Sequence, residues 1–226
     1  MTSAASILAQ SAARLLTPLA ASLTLAACSI TQPAPIKQTF LLDPPAPTAA
    51  TTSTAATPSL PGHPHLLRVN RFVVAQPFDG RALVYRVGDH RFETDFYNEF
   101  VAWPATMLTE GVMRHLAQEG VFRAAVPMTS SLDARYVLEG AVTTLHGDFR
   151  PNQTPAAVLA IRFLLARDDA ATGLVYEKLI ERRVELPSRS AAALVAALDR
   201  ANAAILTELA RDLRSLNLVA VTPSTR

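Results

Sequence analysis

One cysteine, Cys28, is all that this 226-residue chain contains, and it stands at the end of an apolar run. A single thiol closes no disulfide within the chain, so the segment downstream must be held together by its own buried surface. The run before it is Leu15-Leu16-Thr17-Pro18-Leu19-Ala20-Ala21-Ser22-Leu23-Thr24-Leu25-Ala26-Ala27. It is too short for a membrane-spanning helix, which needs about 20 apolar residues. Arg14 and the amino terminus flank it with positive charge, and no acidic residue precedes Asp43. Length and flanks together predict a signal peptide over residues 1–27.

Leu25-Ala26-Ala27-Cys28 resembles the bacterial lipobox. Small residues at positions 26 and 27 suit the lipoprotein signal peptidase, and the Cys28 thiol is the expected carrier of a covalent diacylglycerol. No other cofactor is expected. Ser29 follows the cysteine where an Asp would retain an enteric lipoprotein in the inner membrane. The expected location is therefore the cell envelope, facing the periplasm, with the outer membrane favoured.

Residues 28–64 read as a tether rich in Pro, Ala and Thr, too poor in apolar side chains to offset the entropy of ordering. Its 44–64 stretch is either a long loop or a second piece of linker. Within the tether, residues 39–43 (Thr39-Phe40-Leu41-Leu42-Asp43) form an apolar island able to add an edge strand. The first ten residues after Cys28 would reach about 30 Å in a polyproline-like form, at about 3.1 Å each.

Residues 65–220 are expected to form one domain. The chain is 50% hydrophobic, which allows a sizeable core, and its formal net charge of +2 falls by one when Arg14 leaves with the signal. Acidic and basic residues are interspersed, without the clustered Lys and Arg of a nucleic-acid surface. Leu67, Val69 and Val73 alternate with Arg68, Asn70 and Val74, a strand signal. Leu83–Val87 and Arg91–Asp95 flank Gly88-Asp89-His90 as a hairpin. A helix follows, with Pro104 at its first position, Leu108, Val112 and Leu116 on one face, and Gly120 just past its end. Three alternating segments come next, Tyr136–Val142, Ala157–Leu165 and Leu174–Leu186. Leu194, Leu198, Ala201, Ile205 and Leu209 then mark a long terminal helix starting near Ser190. The order predicts an α+β fold, a single antiparallel β-sheet with two α-helices packed on one face.

Catalytic motifs are missing: there is no GxSxG elbow, HExxH, Walker A loop or GxGxxG. His63, His65, His90, His115 and His146 lack metal-ligand spacing. Asp168-Asp169 and Asp89-His90 read as solvated turn residues. Asn152-Gln153-Thr154 matches a glycosylation sequon by coincidence in a chain with a bacterial lipobox. No catalytic or metal-binding residue is predicted, and the chain does not read as an enzyme.

Several segments together resemble the ABC-type transport auxiliary lipoproteins. They are Phe40-Leu41-Leu42-Asp43, Leu83-Val84-Tyr85-Arg86-Val87, Phe96-Tyr97-Asn98-Glu99-Phe100 with Trp103-Pro104-Ala105, Gly120-Val121-Phe122, and Tyr136-Val137-Leu138-Glu139-Gly140. The insert between Asp43 and His65 departs from the pattern. The resemblance implies a non-catalytic accessory of an MCE-type (mammalian cell entry) lipid transport system, acting in lipid trafficking and envelope integrity. The implied partners are an MCE-domain protein with its permease and ATPase, and the membrane through the lipid anchor. Such components can form homo-oligomers. The alternative is an outer-membrane lipoprotein that scaffolds or activates another envelope machine, such as a peptidoglycan synthase or a secretion assembly.

Three surfaces are candidates for partner recognition: the solvent side of the sheet, an open strand edge, and the aromatics Phe96, Tyr97, Phe100 and Trp103. The plainer reading of those aromatics is packing at the start of the helix.

The lipobox reading predicts that the wild-type chain incorporates labelled palmitate in a bacterial host and that Cys28→Ala incorporates none and keeps its uncut leader. Equal labelling of the two, or leader removal in the variant, overturns it.

Overall fold

The three alternating segments of the second half become the longest strands of the protein, and everything else is registered on them. This computed structural model describes residues 36–43, 62–168, 173–216 and 218. The expected signal peptide, Leu25, Ala26, Ala27 and Cys28 of the lipobox, and residues 44–61 of the tether lie outside the described residues. Contacts group the described residues from Lys37 onward into one unit.

β1 (Gln38–Phe40), β2 (His63–Val69), β3 (Val73–Val74), β4 (Ala82–Arg86) and β5 (Phe92–Phe100) precede helix α1 (Pro104–Gln118). β6 (Phe122–Pro127), β7 (Tyr136–Asp148), β8 (Ala156–Arg167), β9 (Leu174–Glu185) and helix α2 (Ala191–Ser215) follow. β7, β8 and β9 form an antiparallel meander, running from Tyr136↔Arg167 to Asp148↔Ala156 and from Ala156↔Glu185 to Ala166↔Leu174. The other edge of β7 accepts three partners in succession, all parallel: β2 at Tyr136–Leu138, β3 at Ala141–Val142, and β4 at Gly147–Asp148. β6 adds to β2 in parallel, β5 adds to β4 antiparallel, and β1 adds to β5 in parallel. The α+β class stands, but the sheet is mixed, which corrects the expectation of a single antiparallel sheet. Alternation reports which side chains share a face and carries no information on strand direction. The parallel partners are joined by long crossovers, as parallel pairing requires.

Ala157, Leu159, Ile161, Phe163 and Leu165 of β8 are fully buried, and their register partners include Ile180 and Tyr176 of β9. α2 covers this face, with Leu194, Leu198, Ala201, Ile205 and Leu209 all buried. Ser190 caps the helix by accepting from the Ala193 N–H at 3.2 Å. α1 reaches the same face through Thr109, whose hydroxyl accepts from the Phe72 N–H at 2.9 Å, while the Phe72 ring meets Phe163 edge-on at 5.9 Å. The α1 C-terminus closes as expected. Gly120 takes φ +63°, and the Gly120 and Val121 N–H groups donate to Ala117 and Leu116 at 3.1 and 3.2 Å. This is the Schellman arrangement, which needs a left-handed residue. Glu208 and Asp212 of α2 bind Lys178 at 2.8 and 2.7 Å, Glu208 also pairs with Arg182, and Arg214 binds Glu119, the residue that caps the end of α1, at 2.6 Å.

A bulge at Thr143 shifts the β7 register and exchanges the parity of its faces. Beyond it Leu145 joins the helix side, while His146 and Asp148 turn to the opposite face. There His146 stacks on Phe78 at 5.6 Å and meets Phe92 at 5.4 Å. Burial pushes its pKa down to about 4, so the ring packs as a neutral aromatic. Asp148, with its side chain 2% exposed, accepts from Arg150 and Arg183 at 2.8 and 2.7 Å.

Gly140 of β7 lies directly under Phe72, and a methyl group there would stand 2.5 Å from the ring. Phe72 is itself buried, so it has nowhere to retreat. Gly140→Ala is expected to cost about 2 kcal/mol by overpacking, read as a lower urea midpoint with an unchanged denaturant slope.

Candidate functional site

The segment that carries the family resemblance is built around a carboxylate. β5 pairs regularly with β4 from Phe92 to Thr94, loses register, and regains it at Glu99. In the gap the Asp95 carboxylate gathers the chain. Its Oδ1 accepts from the Tyr97 and Asn98 N–H groups at 2.8 and 3.0 Å. Its Oδ2 accepts from the Tyr85 hydroxyl and the Asn98 side-chain amide at 2.7 and 2.8 Å. Burial pushes the Asp95 pKa up, but these donors outweigh it and hold the carboxyl below its ordinary value. Burial, aided by the Asp95 charge, raises the Tyr85 pKa and keeps its hydroxyl a donor.

The irregularity turns two aromatics outward. Phe96 is 82% exposed and Tyr97 41%, with the rings edge-on at 5.1 Å. Trp103, which precedes α1, is 49% exposed. Phe100 departs from the expected aromatic surface. It is 2% exposed, because Arg81 clamps its backbone from both sides, accepting from the Phe100 N–H at 2.6 Å and donating to its carbonyl at 2.8 Å. The sequence pattern thus joins two kinds of residue, outward Phe96, Tyr97 and Trp103, and a core Phe100. β1 completes this edge. Val101 donates its N–H to the Phe40 carbonyl at 2.8 Å, leaving Leu41 and Val101 on the surface at 57% and 50% exposure.

A second surface lies where β2 and β3 meet β7. Three adjoining cavities there have volumes of about 460, 430 and 350 Å³. The 430 Å³ one is lined by Val73, Met128, Ala141 and Leu164 with Asn70 and Glu139. Arg68 crosses beside it to Asp168 at 3.0 Å and to the Leu132 carbonyl at 3.2 Å. Met128 and Leu132 stand exposed in the β6–β7 connection. Sequence reading missed this groove because its walls are far apart along the chain.

Several of the polar groups singled out in the sequence have structural roles. His63 and His65 lie in β2, not in a linker. His63 Nε2 sits 2.8 Å from the Leu213 carbonyl, and His65 packs on Tyr136. Asp89 pairs with Arg150 at 3.3 Å, and Asp168 with Arg68; Asp169 lies outside the described residues. Among the described residues no group of three or more His, Cys, Asp or Glu could hold a metal ion. None of their helices is long and apolar enough to cross a membrane.

The sequence pattern of the ABC-type transport auxiliary lipoprotein component family matches residues 40–210. No curated protein matches the chain. Among solved structures it is similar to protein XCC0632 from Xanthomonas campestris, at 20% identity over 68% of this chain and 86% of that one, with a TM-score of 0.61. It is also similar to an uncharacterized protein at 17% identity over 79% of this chain and 99% of that one, with a TM-score of 0.59. These two share its fold.

Asp95→Ala is expected to destabilise the protein by about 1–3 kcal/mol, because two backbone N–H groups and Tyr85 lose their acceptor. The sign with pH follows from the lowered pKa. The wild-type contribution is full above the ordinary carboxylate value of about 4 and is lost as pH falls through the lower folded-state value. Urea unfolding of both proteins between pH 7 and 3 should show the gap narrowing in acid.

Proposed function

This chain belongs to the ABC-type transport auxiliary lipoprotein family, and from that premise we propose that it is a non-catalytic, lipid-anchored accessory of an MCE-type ABC transport system, acting in lipid trafficking and envelope integrity. The observation that carries the reading is the extent of the match. Residues 40–210 run from the end of β1 into the last turns of α2, so the match covers nearly all of the described strands and helices; in this reading a lipobox ending in Cys28 precedes it. Ser29 after that cysteine supports an outer-membrane anchor facing the periplasm.

The partner in this reading is a membrane-anchored MCE-domain protein whose permease and ATPase complete the machine. A lipid on a short tether raises the local concentration of the folded body for such a partner. Within the body we assign docking to the groove between β2, β3 and β7. It combines exposed Val73 and Met128 with polar side chains that include the Arg68–Asp168 ion pair and the Asn70–Glu139 hydrogen bond. An apolar centre within a polar rim is the composition of a recognition surface.

Expression of the full chain in its own host, gentle solubilisation and recovery through a C-terminal tag test the reading. Recovery of an MCE-domain protein with permease and ATPase is expected. Recovery with peptidoglycan synthases or a secretion assembly instead overturns it and promotes a scaffolding role in that machine. Met128→Asp, at a 64% exposed position, is expected to lower recovery of the MCE protein while leaving the thermal midpoint within about 2 °C, as for a surface change. Undiminished recovery removes the groove from the interface.

A further inference from the structure

Five of the exposed large apolar side chains gather along one edge of the sheet, apart from those of the groove. Phe96 and Tyr97 lie on β5, Val101 and Trp103 in its link to α1, and Leu41 directly after β1, and β1 is hydrogen-bonded to β5. Single exposed apolar residues call for no explanation, but a concentration of them on one edge marks a contact surface. β1 is also the point at which the chain from Cys28 enters the folded body. Only nine residues lie between Cys28 and Gln38, and at full extension the ten steps span about 35 Å at most. Chain length alone therefore keeps this edge within reach of whatever surface holds the lipid.

The charges of the edge are already neutralised. Glu93 pairs with Arg91 at 3.4 Å. Asp95 is filled by Tyr85, Tyr97 and Asn98. Glu99 binds both Lys37 and Arg81, at 2.9 and 2.8 Å. Every carboxylate of β5 thus has its own donors, which lowers the cost of bringing the edge out of water. Trp and Tyr, with an apolar body and a polar tip, are the side chains that settle at the level of lipid headgroups.

We propose that the β1–β5 edge, through Phe96, Tyr97, Val101, Trp103 and Leu41, lies against the headgroup region of the same membrane that holds the Cys28 lipid. The inference rests on the lipid anchor of the proposed function, but not on the identity of the transport partner. Covalent lipid already supplies the attachment, so the contribution of the edge is orientation. Asp95 positions the pair Phe96 and Tyr97 for this contact by holding the β5 irregularity open.

Trp103 is the sole tryptophan of the chain and reports on the contact directly. The lipidated protein is reconstituted into vesicles of phosphatidylethanolamine and phosphatidylglycerol, with or without bromine on the upper acyl chain. Palmitate labelling verifies the anchor. Blue-shifted Trp103 emission, quenching by the brominated lipid and shielding from iodide are expected. The Phe96→Ser/Tyr97→Ser double variant changes two exposed side chains, so it should fold normally and lose most of that quenching. An anchored protein whose Trp103 stays open to iodide and is not quenched by brominated lipid overturns the proposal, whatever partner the tag recovers. Shielding that appears only in a complex with a co-purified protein, and not in vesicles, overturns it in favour of a protein contact.

Discussion

β7 offers both of its edges for pairing at once, and the tertiary structure depends on that double use. Along one edge it holds β8 over its full length. Along the other it takes three register positions of β2, two of β3 and two of β4. Pairings of two or three residues do not sustain themselves in water. They persist because the residues within or between them, Leu67, Val69, Phe72 and Leu83, are almost completely buried beneath the helices. The Thr143 bulge adjusts the strand midway, turning Leu145 toward that core and His146 and Asp148 to the other face. With no disulfide available to the chain, this shared core is what keeps three separate crossovers attached to one strand.

The elements that sequence reading found were those encoded locally. The β7–β8–β9 meander alternates, α1 carries Pro and Gly at its ends, and α2 repeats Leu and Ala at helical spacing. Each signal is written within a dozen or so consecutive residues. Strand direction is not. β2 pairs with Tyr136–Leu138 across some seventy residues of chain, as the register of Leu67 to Tyr136 shows, and nothing in Leu67, Val69 or their neighbours indicates parallel over antiparallel. β6 escaped for a related reason. Phe122-Arg123-Ala124-Ala125-Val126 has too weak a contrast to read as a strand, and it becomes one because β2 is there to receive it.

The candidate surfaces divide in the same way. Phe96, Tyr97 and Trp103 were visible as an aromatic motif, yet the motif did not distinguish them from Phe100, whose ring enters the core. The residue that makes the difference, Asp95, was read only as the end of a hairpin strand. A signal was present: an Asp followed by Tyr-Asn at the next-but-one positions can form an Asx-type turn with its own backbone. Such a turn inside a run that otherwise reads as strand marks a bulge. The groove had no such signal, since Asn70, Met128, Glu139 and Leu164 meet only after the crossovers have closed.

The two surfaces are tied to different stretches of one rigid strand. The groove follows β7 through Glu139, Gly140 and Ala141, whereas the arm of β4, β5 and β1 joins it at Gly147 and Asp148. Orientation of one therefore fixes the orientation of the other. An anchor acting through the chain terminus alone would hold the body near a membrane but leave it free to rotate, and a partner would meet the groove in only a fraction of encounters. If the β1–β5 edge rests on lipid, that rotational freedom is spent before the partner arrives, which is preorganisation of the kind that strengthens association without adding a contact to the interface. The Asp95 cluster would then matter at a distance: by setting how far Phe96 and Tyr97 project, it would set the attitude at which the groove faces away from the lipid.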